Sequence, residues 1–309
     1  MQAYRPDGAG GVVLDEVDEP EPSVGEALVE VSAYSVNRGE TLLLERPRAG
    51  WRPGKDVAGC VVHAAADGSG PPAGTRVVGH PPSAGWAQRV AVPTTGLVAL
   101  PDSLPAPVAA ALPLAGLTAV RLLRAAGSLL GRRLLITGAS GGVGHYVTEL
   151  AIGSGAEVTA VVGRVERGAR LAELGATVVD DLAAAPGRYD VALESVGGPW
   201  LAAARRKTHP SGVVIWFGQA SRAPATLDFF DWVDGTAGAP IVGFDYTRSD
   251  RPDADDLTTL VRLAASDRLH PELGAVRPWT DTAAVIADLR ARRIRGNAVL
   301  TVTDEIGED

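Results

Sequence analysis

From about residue 133 the chain alternates short apolar strands with helix-patterned segments, and its first strand-to-helix junction is a glycine cluster, "LLITGASGGVGHYVTEL", Leu134 to Leu150. No other feature narrows the fold as far. "RRLLIT", "AEVTAVVG", "TVVDD", "YDVALESVGG" and "SGVVIWFGQ" read as five strands. "GVGHYVTELAIGSG" reads as a helix with Val143, Tyr146, Val147, Leu150 and Ala151 on one face. "RVERGARLAELGA" reads as a second helix, closed by Gly175. Strands alternating with helices of this length build a parallel, doubly wound sheet, because right-handed crossovers leave little topological choice.

The junction is Ala139-Ser140-Gly141-Gly142-Val143-Gly144, the A-x-G-x-x-G variant of the dinucleotide fingerprint. A pyrophosphate must approach the backbone closely here, and the third glycine lets the helix pack tightly on the strand. The helix amino terminus supplies N–H groups and the positive end of a dipole. The alternative is a turn that only glycine can build; the strand before and the helix after favour the phosphate cradle. An NAD site would carry Asp or Glu at the end of the second strand. This chain has "VVGRVERG", with Gly163 and Arg164 at that place and Arg167 one turn on. A guanidinium grips a 2′-phosphate that a carboxylate would repel, so the expected cofactor is NADPH. The competing view is that both are surface arginines, in a chain with only two lysines, Lys55 and Lys207.

Residues 1 to about 105 read differently. Short alternating runs such as "ALVEVSAYSV" and "WAQRVAVP" lie between Gly/Pro punctuation, the pattern of a partly closed barrel or sandwich. After residue 245 come two amphipathic helical segments and a closing strand, "GNAVLTV". The 309 residues carry a net charge of -8, which disfavours a nucleic-acid footprint. Cys60 is the only cysteine, which leaves no disulfide framework and fits a reducing compartment. The start, "MQAYRPDGAGG", lacks a signal-peptide pattern. The apolar run Ala106–Val120 is interrupted by Pro113 and falls short of the roughly 20 residues of a membrane span. A cytoplasmic protein without membrane contact is expected.

At this point the chain resembles a known family, the zinc-free medium-chain dehydrogenase/reductases, in the quinone oxidoreductase and enoyl reductase branch. The likeness rests on "VSAYSVNRGE", "RPGKDVAGCVV", "AGTRVVG", "GWAQRVAVP", "LPLAGLTAVRLL", "LLITGASGGVG", "DVALESVGG", "GVVIWFG" and "GNAVLTV", in that order. It implies an α/β protein with a GroES-like β-rich catalytic domain, residues 1–112 and 249–309. A Rossmann NADPH-binding domain, residues 113–248, is inserted between them. It also implies cofactor contacts at Asn37, Thr118, Ser140 to Val143, Arg164, Arg167, Ser195, Phe217, Gly218 and Asn297. A homodimer through "IVGFDYT" is a further implication. The family tyrosine five residues after the asparagine is Leu42 here. A second tyrosine is missing near Asp180, Asp181 and Leu182.

The zinc-dependent cousins place a histidine beside a glutamate where this chain has "RPGKDVAGCVV". His63, His80, His145, His209 and His270 are scattered without ligand spacing, although His63 and His80 have room to meet in space. No metal is expected. Hydride delivery to a quinone or an α,β-unsaturated carbonyl suits such a site, because the resulting enolate needs no strong Lewis acid. Glu40 is the nearest carboxylate for tuning it, and Tyr34 a candidate hydroxyl donor. Alternatives are an enoyl reductase dedicated to one biosynthetic intermediate and a low-turnover NADPH-binding sensor or structural protein. Substrate choice is assigned to Trp51, Phe244, Tyr246 and the loop Phe229 to Asp234. The basic stretch "ARRKTHP" reads as a solvated helix end.

Overall fold

The computed structural model of the chain describes residues 1–233, 235 and 238–302. Asp234, the last residue of the aromatic loop, lies outside the described residues. The chain divides into two compact units, Met1–Leu117 with the segment from Asp250 onward, and Thr118–Ser249. The helix Pro113–Ala126 begins in the first and ends in the second. Among the described residues no helix is long and apolar enough to cross a membrane.

In the Thr118–Ser249 unit six strands form one sheet. Their spatial order is Thr177–Val179, Glu157–Val161, Arg133–Thr137, Tyr189–Glu194, Thr208–Trp216 and Ile241–Gly243, every neighbouring pair parallel. Numbered along the chain this is 3-2-1-4-5-6, the doubly wound order of a Rossmann sheet. Leu134, Leu135, Ile136, Val191 and Leu193 are completely buried, as expected of central strands covered on both faces. The order reverses between Arg133–Thr137 and Tyr189–Glu194. The carboxyl ends of those two strands therefore flank the crevice where ligands bind in such sheets.

Two local expectations are corrected here. The single helix expected over "RVERGARLAELGA" is a 3-10 turn, Val165–Gly168, followed by a short helix, Ala169–Glu173. Gly168 is buried, and a Cβ on it would come within 2.4 Å of Val178 Cγ1, so the segment bends to pack against the neighbouring strand. The basic helix end is not merely solvated. Arg205 donates to Ala239 O, Lys207 donates to Ala183 O and Ala185 O, and Arg206 pairs with Asp231. These cations complement the carboxyl end of Pro199–Lys207 while tying down two loops.

The other unit is organised by one strand, Glu26–Val36. On one side it pairs antiparallel with Val57–His63. On the other, Arg89–Pro93 pairs with its first half and Asn297–Thr301 with its last four residues. Two register shifts against Val57–His63 bend it, which lets the sheet curl around a core. Ala27 to Val29 are buried in succession, burial alternates only from Val29 to Ala33, and Ala33 to Val36 are again all buried. Trp86 fills the core: it is fully buried, stacks on Tyr34 with ring centroids 5.9 Å apart, and donates Nε1–H to Ser35 O. Replacing Trp86 with Ala should cost about 3–5 kcal/mol, read as a lower urea midpoint at unchanged slope.

Candidate functional site

Each unit holds one cluster of its own. In the doubly wound unit the strand Arg133–Thr137 leaves the sheet at Gly138, whose φ of +65° suits glycine. Ala139 is buried, its N–H donating to Val161 O, and Gly141 N donates to Gly138 O. The helix Gly142–Gly153 starts at once, its N-cap Gly141 extended and without a side-chain cap. A Cβ at Gly144 would lie 2.2 Å from Ala139 O and 2.5 Å from Ala139 Cα. Only a bare backbone allows that approach of helix to strand.

At the end of the second strand Gly163 and Arg164 are exposed. Arg167, half-buried, reaches back so that Nε donates to Ser140 Oγ at 3.3 Å. A guanidinium 27 residues on in sequence thus meets the glycine turn.

Across the crevice the strand Tyr189–Glu194 ends in a carboxylate with no exposed surface. Glu194 Oε1 accepts from Val196 N (2.7 Å), Gly197 N (3.1 Å) and Thr137 Oγ1 (3.1 Å), and Oε2 accepts from Gly197 N (3.0 Å). Burial pushes its pKa up against those bonds. Ser195 is stitched to the first strand: its N–H donates to Thr137 Oγ1 and its hydroxyl to Thr137 O, both 2.9 Å. Phe217 N donates to Glu194 O, and a Cβ on Gly218 would fall 2.9 Å from Ser195 O. Gly138, Ser195, Phe217 and Gly218 therefore gather at one sheet edge. Thr118 is buried on the helix Pro113–Ala126.

In the β-rich unit the cluster surrounds two buried carboxyls. Asp56 Oδ2 accepts from Ser35 Oγ and Asn37 Nδ2, both 2.6 Å; Oδ1 accepts from Leu114 N (2.9 Å) and lies 3.1 Å from His80 Nδ1. Glu40 Oε1 accepts from Gly54 N (2.9 Å), and Oε2 from Asn37 N (3.0 Å) and Asn37 Nδ2 (3.3 Å). Asn37 is the N-cap of the helix Arg38–Leu43, and Glu40 completes the capping box. Burial, then the charge of Asp56, raises the Glu40 pKa to about 7. Asn297 is also buried at this end. Its strand pairs with Glu26–Val36 up to Ala298 opposite Val36, one residue short of Asn297 and Asn37. Asn297 Nδ2 donates to Glu272 O.

Tyr34 is corrected. It has no exposed surface, its hydroxyl is engaged with Thr282 Oγ1 at 2.6 Å, and its ring stacks on Trp86. It is a core residue, closed to a substrate. His63 and His80 do not meet. His63 ends the strand Val57–His63, whereas His80 pairs with Asp56 just before that strand's other end. Among the described residues no group of three or more His, Cys, Asp or Glu side chains is arranged to hold a metal ion. The aromatic residues assigned to substrate choice split between units, with Trp51 in one and Phe244, Tyr246 and Phe229 in the other. Sequence reasoning missed Asp56 and Glu194, and weighed His80 only as a metal ligand. The available signal for the two acids was a carboxylate at the edge of an apolar run, in "GKDVAGCVV" and "DVALESVGG".

Comparison with known proteins decides the family. The family description "zinc-binding dehydrogenase" matches residues 173–300. Acrylyl-CoA reductase AcuI of Ruegeria pomeroyi is 30% identical over 310 residues, covering 90% of this chain and 91% of that protein. The chain belongs to the medium-chain dehydrogenase/reductases, in the quinone oxidoreductase and enoyl reductase branch. Within that branch the chloroplast envelope quinone oxidoreductase homolog of Arabidopsis thaliana is 34% identical over 172 residues. That match covers 50% of this chain and about half, 52%, of that relative. The Escherichia coli quinone oxidoreductase, solved complexed with NADPH, shares the fold with a TM-score of 0.85 at 21% identity, covering 97% of this chain and 98% of that one. For this dehydrogenase/reductase the fold is an α/β pair of a GroES-like β-rich domain and a Rossmann domain.

The raised Glu40 pKa has a consequence for stability. Unfolded, Glu40 titrates near 4.5; folded, near 7. Between these values the folded state binds more protons, so this contribution is complete below about 4.5 and is lost as pH rises through about 7. Relative to Glu40→Gln, the unmodified protein should gain on the order of 2–3 kcal/mol on acidification from pH 8 to 5. Parallel denaturant titrations of the two proteins would measure this, shared titrations cancelling in the difference.

Proposed function

We propose that this protein is an NADPH-dependent oxidoreductase that reduces a quinone or an α,β-unsaturated carbonyl without zinc. The observation that carries the reading is Arg167 Nε on Ser140 Oγ, a guanidinium beside the glycine turn, with no acid at the end of the second strand. The residues fit the cofactor. The turn from Ala139 to Gly144 leaves backbone space and free helix N–H groups for a pyrophosphate, and Arg164 and Arg167 offer charge for a 2′-phosphate. Ser195, Phe217 and Gly218 form the wall beside it, Glu194 and Thr137 holding that wall in place. Thr118 and Asn297 complete the proposed contacts.

Bound NADPH would supply the hydride. The chain's own part is to orient the acceptor, exclude water and spread charge onto a carbonyl oxygen. Asn37 is fixed for this task by Glu40 and Asp56, and Glu40, titrating near neutrality, tunes the charge beside it. The absence of a Gly-His-Glu stretch at Gly54 to Asp56 supports the zinc-free part of the reading. A second reading, an enoyl reductase acting on one biosynthetic intermediate, is favoured by the likeness to an acrylyl-CoA reductase. A homodimer belongs to the proposal as well, supported by Ile241–Gly243, which among the described residues ends the sheet with a strand neighbour on one side only.

Fluorescence titration with NADPH and NADH is the test. NADPH should bind at least tenfold tighter, and Arg164→Gln with Arg167→Gln should remove that preference while sparing NADH. Gly144→Ala should weaken both cofactors by more than tenfold. NADPH oxidation by quinones or enones should follow. Binding without oxidation by any acceptor would favour a sensor over an enzyme, and no binding of either cofactor would overturn the reading.

A further inference from the structure

The β-rich unit carries an open groove of about 720 Å³, of a size typical for small-molecule sites, on the loop that follows the helix Arg38–Leu43. Arg5, Arg48, Trp51 and Arg52 line it, as do Asp18 and Glu19. Arg5 is paired with Asp15, and Glu19 with Arg89 at 3.2 Å. Among the described residues the Arg48 and Arg52 side chains have neither a hydrogen bond nor an ion pair. Arg52 is half-buried, and burial and the charge of Arg5 depress its pKa. Arg48 and Arg52, two guanidiniums without an ion pair among the described residues, beside a third that is already matched by Asp15, make a place where an added anion is stabilised.

We infer that this groove binds a nucleoside phosphate, held through its phosphate by Arg48 and Arg52 and through its ring by Trp51. Two guanidinium forks match phosphate oxygens bidentately, which a lone carboxylate would exploit only in part. Trp51 is half-buried and packed on the core, so its indole is a fixed wall for a planar ring. Asp18, whose side chain has neither a hydrogen bond nor an ion pair among the described residues, can accept hydrogen bonds and repels a second anion, which suits the hydroxyl and amino donors of a nucleoside. Two residues past Arg52, Gly54 N donates to Glu40 Oε1. The groove loop is thus tied to the Asn37, Glu40 and Asp56 cluster, and the ligand is assigned as the nucleotide head of an enoyl thioester substrate. That last assignment rests on the reductase reading; the phosphate site does not.

The test has one arm that needs no turnover. The full chain, saturated with NADP⁺ to occupy the glycine turn, is titrated calorimetrically with coenzyme A. Affinity should fall at least tenfold in Arg48→Gln/Arg52→Gln and less in Arg52→Lys, which keeps charge without the fork. Coenzyme A binding that ignores both variants overturns the site, even if enones are still reduced. Inorganic pyrophosphate binding as tightly as coenzyme A overturns the nucleoside assignment. In the second arm the KM for crotonyl-coenzyme A should lie at least tenfold below that for crotonyl-N-acetylcysteamine, the gap closing in the double variant. Equal KM values, or reduction of neither thioester, overturn the substrate-head assignment; a retained tenfold loss in the first arm then identifies a free nucleotide as the ligand.

Discussion

The doubly wound unit depends on one close approach, Gly144 against the backbone of Ala139, where a Cβ would lie 2.2 Å from a carbonyl oxygen. That contact lets the helix Gly142–Gly153 begin directly at the end of Arg133–Thr137, its free N–H groups at the sheet's carboxyl edge. The chain order 3-2-1-4-5-6 then brings the end of Tyr189–Glu194 alongside. A side chain at residue 144 would push the helix off the strand, and the proposed cradle would be lost together with the packing. In the proposed reading, stability and cofactor binding share one constraint.

Both clusters place carboxylates where water cannot reach. Glu194 and Asp56 have no exposed surface, and each is satisfied by donors from its neighbourhood. An unsatisfied charge so placed would cost several kcal/mol, so the donors are obligatory partners. The outcome is rigid loops: Glu194 holds the turn carrying Ser195, and Asp56 holds Asn37 with Ser35 and the start of the helix at Pro113. Glu40 differs, because its nearest charge is another carboxylate and its titration falls near neutrality.

Much of the fold was legible. The strands of the doubly wound unit follow from apolar runs with glycine punctuation, and the tight turn at Gly138 to Gly144 from strand, glycines and helix in succession. Tyr34 misled, because a tyrosine in an alternating strand gives no hint that the last four positions of that strand are all buried. The helix after Arg164 misled because Gly168 meets Val178, a contact set by sheet order. The partners of Asp56 come from residues 35, 37, 80 and 114, and no spacing rule joins them. Arg167 was picked out as a candidate cofactor contact from its place after the second strand, but its bond to Ser140 required the fold. Side chains that act locally can be read from the sequence; those that meet through topology cannot.

The most direct measurement is amide hydrogen exchange across the glycine turn with and without NADPH. If Ser140 to Val143 form the cradle, their amides and the first turn of the following helix should slow on adding cofactor, with smaller changes near Ser195 and Gly218. Protection confined to other parts of the chain, with exchange at Ser140 to Val143 unchanged, would contradict the account.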